Sequence, residues 1–200
     1  MVTYAQLTGA TTQPLHGGAD GARRLARELE QFGSDTDRHR QSLSTGWSGQ
    51  DATAATNLLG EHAGQYRGTA AAYLRVYEIV STLASEIDVA KRRLDTAVSA
   101  ASSIPGRVGE DGTVHVNWEA LGPQPSPAAV TAARQRAAQV AGWIRESVMH
   151  ANSADGNASA ALSSLVNPQQ PGTDTSAVPE PGTDPKRVNE WWNGLSNEQR

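Results

Sequence analysis

Residues 55–101, ATNLLGEHAGQYRGTAAAYLRVYEIVSTLASEIDVAKRRLDTAVSAA, decide the fold. Leu59, Tyr66, Tyr73, Val80, Ile87, Leu94 and Ala101 recur at intervals of seven, and Ala55, His62, Thr69, Val76, Leu83, Ala90 and Ala97 stand four residues before each. A row with this spacing is the a/d seam of a helix that lies against helical partners in a left-handed crossing. Asp51 suits the positive end of such a helix. The spacing predicts one helix from about 50 to 103, roughly 80 Å long at ~1.5 Å per residue. Pro105-Gly106 stops it. A helix of that length in a 200-residue chain needs antiparallel partners along its length.

An earlier helix supplies one of them. Leu15, Ala19, Ala22, Leu25, Leu29, Phe32, Thr36, His39 and Leu43 step by three or four from a first-turn proline, Pro14, to Ser44-Thr45-Gly46. Gly17, Gly18, Gly21 and Gly33 each weaken it by up to ~1 kcal/mol relative to Ala, so its first turns are expected to fray. Residues 1–13 read as a polar lead-in. Past the long helix, Val114 and Val116 alternate with polar neighbours after Asp111-Gly112. That reads as a small β-hairpin at the helix's far tip, with a plain loop as the alternative. Ser126-Pro127 then caps a third helix. Val130, Ala133, Ala137, Val140, Ile144, Val148, Ala151, Ala158, Leu162 and Leu165 stripe it, with a bend or break expected at Asp155-Gly156-Asn157. Its ~40 residues span roughly 60 Å, enough to run back along much of the long helix. The expected fold is all-α: an elongated antiparallel helical hairpin bundle with a third long helix and a small β-hairpin.

Domain organisation follows from composition. Residues 1–166 carry the helical stripes. In 167–187, proline at 168, 171, 179, 181 and 185 and a repeated Pro-Gly-Thr-Asp form a sequence that cannot bury a core, read as an extended, disordered linker. Residues 188–200 turn apolar and aromatic at Trp191-Trp192, and Ser196-Asn197-Glu198-Gln199 is a capping-box start one residue before the sequence stops. These residues are expected to open a further, truncated domain.

Function classes can be narrowed by what the residues lack. The chain has no cysteine, so it carries no disulfide framework, thiolate nucleophile or Cys-bound metal. Net charge is −4 with both signs interspersed, which recommends neither nucleic acid nor an anionic membrane as partner. The start lacks a basic, then apolar, leader, and no apolar run reaches the ~20 residues a bilayer span needs. His16, His39, His62, His115 and His150 show no metal-ligand spacing, and His62 on the seam reads as a packed histidine. Gly46-Trp47-Ser48-Gly49-Gln50 misses the G-x-S-x-G nucleophile elbow at Gln50 and lies between helices, away from any strand. No phosphate loop or dinucleotide fingerprint is present. No cofactor and no catalytic residue are expected in these 200 residues.

What remains is Gly46, Trp47, Ser48 and Gly49, set at the turn between the first two long helices. The two glycines permit a chain reversal, and the indole can lie across the base of both helices. Helix, Trp-Ser-Gly turn and long helix resemble the WXG superfamily of type VII secretion substrates of Actinobacteria and relatives. The Val-rich hairpin and third helix are similar to the longer N-terminal signal domains of that group. Val188-Asn189-Glu190-Trp191-Trp192-Asn193-Gly194-Leu195-Ser196 resembles the entry into an actinobacterial α/β-hydrolase that follows such domains. The resemblance implies a non-catalytic targeting domain, exported by a leaderless route, that delivers a C-terminal hydrolase. It also implies a type VII ATPase or a small WXG-like helical protein as partner. In that reading Gly46–Gly49 form the secretion and turn motif, and Leu59, Tyr66, Tyr73, Val80, Ile87 and Leu94 pack the seam. One departure is that no Tyr-x-x-x-Asp/Glu export motif follows the hairpin: Ala70, Tyr77 and Ser81 stand four residues after Tyr66, Tyr73 and Tyr77. A helical coiled-coil adaptor that binds another protein, with no part in export, is the alternative.

Overall fold

The computed structural model describes residues 1–166, with side chains to residue 165. The expected linker (167–187) and hydrolase entry (188–200) lie outside the described residues. The fold is all-α with one small sheet: α1 (Tyr4–Gly9), α2 (Gln13–Gly46), α3 (Gln50–Ala101), β1 (Gly106–Val108), β2 (Val114–Val116), a 3₁₀ turn (Glu119–Leu121) and α4 (Pro127–Val166). Residues Met1–Leu162 form one compact unit; Ser163 opens a second, whose described part is the last turn of α4.

Local sequence accounts for the helix ends. Pro14 occupies the first turn of α2, and the Trp47 N–H donates to the Leu43 carbonyl where that helix closes. Gly49 caps α3, with Asp51 in its first turn. The Ser126 hydroxyl accepts the Ala129 N–H at 3.2 Å and opens α4. Despite its glycines, α2 is helical from Gln13. Likewise α4 runs unbroken through Asp155-Gly156-Asn157. Ala151 and Ala158 are buried on either side of that triplet. Their packing outweighs the ~1 kcal/mol that a mid-helix glycine costs.

The lead-in is more than polar chain. Thr3 and Gln6 form a reciprocal capping box, and α1 buries Leu7 completely. Leu7 joins Ile87, Ala90, Leu94, Ala97 and Ala101 of α3 and Val140, Ile144 and Ala151 of α4 in the core. Polar ties surround this cluster. The Val2 N–H donates to Asn152 Oδ1 at 2.6 Å, and Asn152 Nδ2 returns a bond to the Val2 carbonyl. Lys91 Nζ donates to the Ala10 carbonyl. Asp88 accepts from Thr12 Oγ1 at 2.7 Å and lies 3.3 Å from His16 Nε2, while His150 and Glu86 meet at 2.6 Å. The Thr12 hydroxyl first, then His16, holds the Asp88 carboxyl below its usual range.

The hairpin is antiparallel, with Val108 opposite Val114 and a five-residue connection, 109–113, in which Asp111 accepts from the Thr113 N–H and hydroxyl. It stands at the tip of α3, as expected, and packs back on α1 and α4. Gly112 lies against the Tyr4 ring, and Tyr4, Val114 and the α4 residues Ala137, Ala141 and Ile144 line one shared cleft. Gly112 is required twice: its φ is +83°, and a Cβ there would sit 2.8 Å from the Tyr4 ring. Gly112→Ala is therefore expected to destabilise the chain by about 1–3 kcal/mol. Urea unfolding followed by far-UV ellipticity checks this; an unchanged midpoint would remove the hairpin from the core's support.

Candidate functional site: the arm formed by α2 and α3

The long helix is covered by two different neighbours on two different flanks. From Ile87 to Ala101 the buried residues are Ile87, Ala90, Leu94, Ala97 and Ala101, all on the expected seam, and they face α1 and α4. Before that the buried residues are Ala52, Ala63, Ala70 and Ala84. Ala63, Ala70 and Ala84 each lie one position past the seam residues His62, Thr69 and Leu83, about 100° further round the helix. This second flank faces α2. A Cβ on buried Gly33 would approach the Ala63 carbonyl to 3.2 Å, so the two helices meet through their smallest residues. On α2 the buried set is Ala19, Ala22, Ala26 and Gly33, whereas Leu25, Phe32 and Leu43 of the expected stripe are exposed. Backbones this close leave no room for large side chains at the contact, which pushes them to its edge.

The groove between α3 and α4 can be followed to Glu78, Ile79 and Ala161. Toward its N-terminus, residues 50–75 of α3 pair with α2 along an arm about 40 Å long, and α4 itself continues past Ala161 to Val166. The first half of the heptad seam lies there on its surface. Leu59 is half-buried, while Tyr66 and Tyr73 are exposed, as is His62, whose Nδ1 lies 3.3 Å from Gln65 Oε1. Val80 is half-buried, and Ile87 and Leu94 lie in the core. Phe32 stacks obliquely on Tyr66, with ring centroids 6.1 Å apart, yet remains 57% exposed. Leu25, Phe32, Leu43, Trp47, Leu58, Tyr66, Tyr73 and Leu74 are all exposed on these two helices or the turn between them. Phe32 and Tyr66 pair across α2 and α3, and a contiguous exposed apolar patch marks an interaction site.

Ion pairs staple the arm. Asp37 of α2 accepts from Arg67 of α3 and from Arg40 of its own helix, and Glu30 lies 3.9 Å from Arg67. The Arg67 hydrogen bond first, then Arg40, holds the Asp37 carboxyl below its usual range, and the hydrogen bond to Asp37 raises Arg67. A depressed carboxylate stabilises the fold above its unfolded titration near ~3.9, and that contribution is lost as pH falls through the lower folded value. The staple is therefore at full strength at neutral pH.

At the elbow, the two glycines differ. Gly46 is the last helical residue of α2, has no positive φ, and has open space where a methyl group would stand. Gly49 alone makes the reversal, at φ +115° and ψ −178°, a conformation that is essentially glycine's. Trp47 does not seal the base of the helices; it is 45% exposed. Among the described residues no group of three His, Asp or Glu side chains is placed to hold a metal, and no helix is long and apolar enough to cross a membrane. The capping box Thr3…Gln6 was readable in the sequence, whereas the split between flanks was not.

Gly49→Ala is expected to cost about 1–3 kcal/mol, while Gly46→Ala stabilises by about 0.4–1 kcal/mol. Thermal melts of the two variants check the pair; equal destabilisation would return Gly46 to the turn. No known protein family matches the chain, and neither a curated protein nor a solved structure is found to be similar to it.

Proposed function

We propose that the chain is a non-catalytic targeting domain for type VII secretion, which docks a small helical partner along the arm of α2 and α3. One observation carries this reading. The exposed first half of the seam continues the track that α4 covers further along, and it ends at Trp47-Ser48-Gly49. A two-helix arm has too little buried surface to be firmly stable alone in water. A helical hairpin laid over Phe32, Tyr66 and Tyr73 would complete a four-helix bundle with the same knobs-into-holes spacing. Trp47 then belongs to the recognised end of that bundle, beside the one glycine that makes the turn. The partner is a small WXG-like protein or the secretion ATPase, the route is leaderless, and the cargo is the hydrolase whose entry resembles residues 188–200. The absence of a Tyr-x-x-x-Asp/Glu motif in the chain fits a signal completed by the partner.

The test is export of the 200-residue chain fused to a reporter, in an actinobacterial host with and without its type VII ATPase. Reporter in the medium only with the ATPase, reduced at least about tenfold by Phe32→Ser with Tyr66→Ser, is the expected outcome. Both positions are exposed, so the variants keep their helicity. Retention of a folded fusion in both hosts, with a cognate partner co-expressed, would contradict export and favour the helical adaptor.

A further inference from the structure

A second feature lies away from the arm, on the side of the seam between α3 and α4. Val89, Arg92, Arg93, Thr96 and Ala97 of α3 and Trp143, Glu146 and Ser147 of α4 line a cleft of about 500 Å³. That is within the range of small-ligand sites, ~300–1,000 Å³. Its floor is apolar in effect. Ala97 is buried, and the Ser147 hydroxyl, also buried, is spent on the Trp143 carbonyl at 2.9 Å. Its rim is charged and uneven. Arg92 and Arg93 are exposed, and neither takes part in an ion pair within 4.0 Å among the described residues, though Arg92 acts on Asp88 at longer range. Elsewhere some guanidiniums are engaged, Arg67 and Arg40 by Asp37, Arg23 by the Tyr77 ring and Arg134 by the Trp118 ring, which leaves Arg92 and Arg93 among those open to a ligand. Trp143 stands across the cleft, 37% exposed.

The geometry points to a binding site for an amphipathic carboxylate, an aromatic body with one anionic head. The body lies on the Trp143 face over Val89 and Ala97, where ring stacking and apolar burial act together. The head meets the two guanidiniums, whose fork matches a carboxylate's two oxygens. Glu146 on the α4 side of the rim repels a second negative charge, so monoanions are preferred to dianions, and the head is directed to the α3 side. The site is independent of the arm and of export. The same chemistry is available from a free aromatic acid or from neighbouring aromatic and acidic side chains of a peptide.

Indole-3-acetate serves as the probe, titrated into the full 200-residue chain while the indole N–H resonances are followed by NMR. Trp143→Phe identifies the Trp143 signal. Saturable shifts of that signal are expected in the millimolar range for a ligand this small. Neutral indole-3-acetamide, or the acetate with the Arg92→Gln/Arg93→Gln chain, should bind about tenfold more weakly. A blocked Trp-Glu dipeptide sorts the sources: tighter binding than the acetate assigns the site to a peptide, weaker binding to a free acid. Equal affinity for acetate and acetamide in the unmodified chain would overturn the proposal, as would shifts shared evenly among all the indoles. Because that comparison needs no variant, it decides the matter even if the arginine substitutions disturb helicity.

Discussion

A 52-residue helix has more apolar row than one neighbour can bury, and α3 is covered on two flanks that do not overlap fully. α2 takes one flank through alanine and glycine, close enough that a Cβ on Gly33 would crowd the Ala63 carbonyl. α1 and α4 take the other flank, in a groove that can be followed from Glu78 onward among the described residues. Everything distinctive about the molecule follows from this mismatch. Where both flanks are covered there is a dense core, with Leu7, Leu94 and Val140 fully buried. Truncating one of these to Ala would forfeit about 2–5 kcal/mol in such surroundings. Where α2 is the main neighbour among the described residues, Tyr66, Tyr73 and Phe32 stay at the surface.

The polar contacts divide in the same way. Along the arm, α2 and α3 are joined by Arg67 and Asp37, groups that keep their charge across the physiological range. Around the core, the ties to Glu86 and Asp88 come from histidines and a threonine, and others come from asparagine and lysine to backbone carbonyls. Exposed pairs contribute little energy each. Their worth here is orientation: they set α1, α4 and the start of α2 on one stretch of α3, next to the hydrophobic cluster, and leave the arm held by small residues and one arginine.

Much of this was legible in the residues. Heptad spacing marks α3 without ambiguity because seven-residue periodicity over so long a run has one structural meaning. Gly46 to Gly49 marks the turn, and Ser126-Pro127 the start of α4. The capping pair Thr3 and Gln6 signals α1, but six residues are too few for a periodic pattern to support it. Flank assignment is the part that periodicity cannot carry. A row of Tyr66, Tyr73, Val80 and Ile87 states that a face is apolar, and says nothing of which element covers it. Nor could it show that α2 would choose Ala63 and Ala70 over the larger residues beside them. Close approach, which favours small side chains, is decided only when two helices are set against each other. The cleft at Arg92, Arg93 and Trp143 is similar: its arginines and its indole lie far apart in sequence and meet only because α4 runs antiparallel to α3.

Uneven cover of α3 is the central claim, and amide hydrogen exchange along that helix tests it most directly. Opening free energies follow local burial, so amides of residues 87–101 should exchange only with global unfolding, while those of residues 50–75 exchange markedly faster. That gradient, measured on the free chain by mass spectrometry, is the predicted result. Uniform protection from Gln50 to Ala101 would contradict it and would mean that the arm needs no further partner.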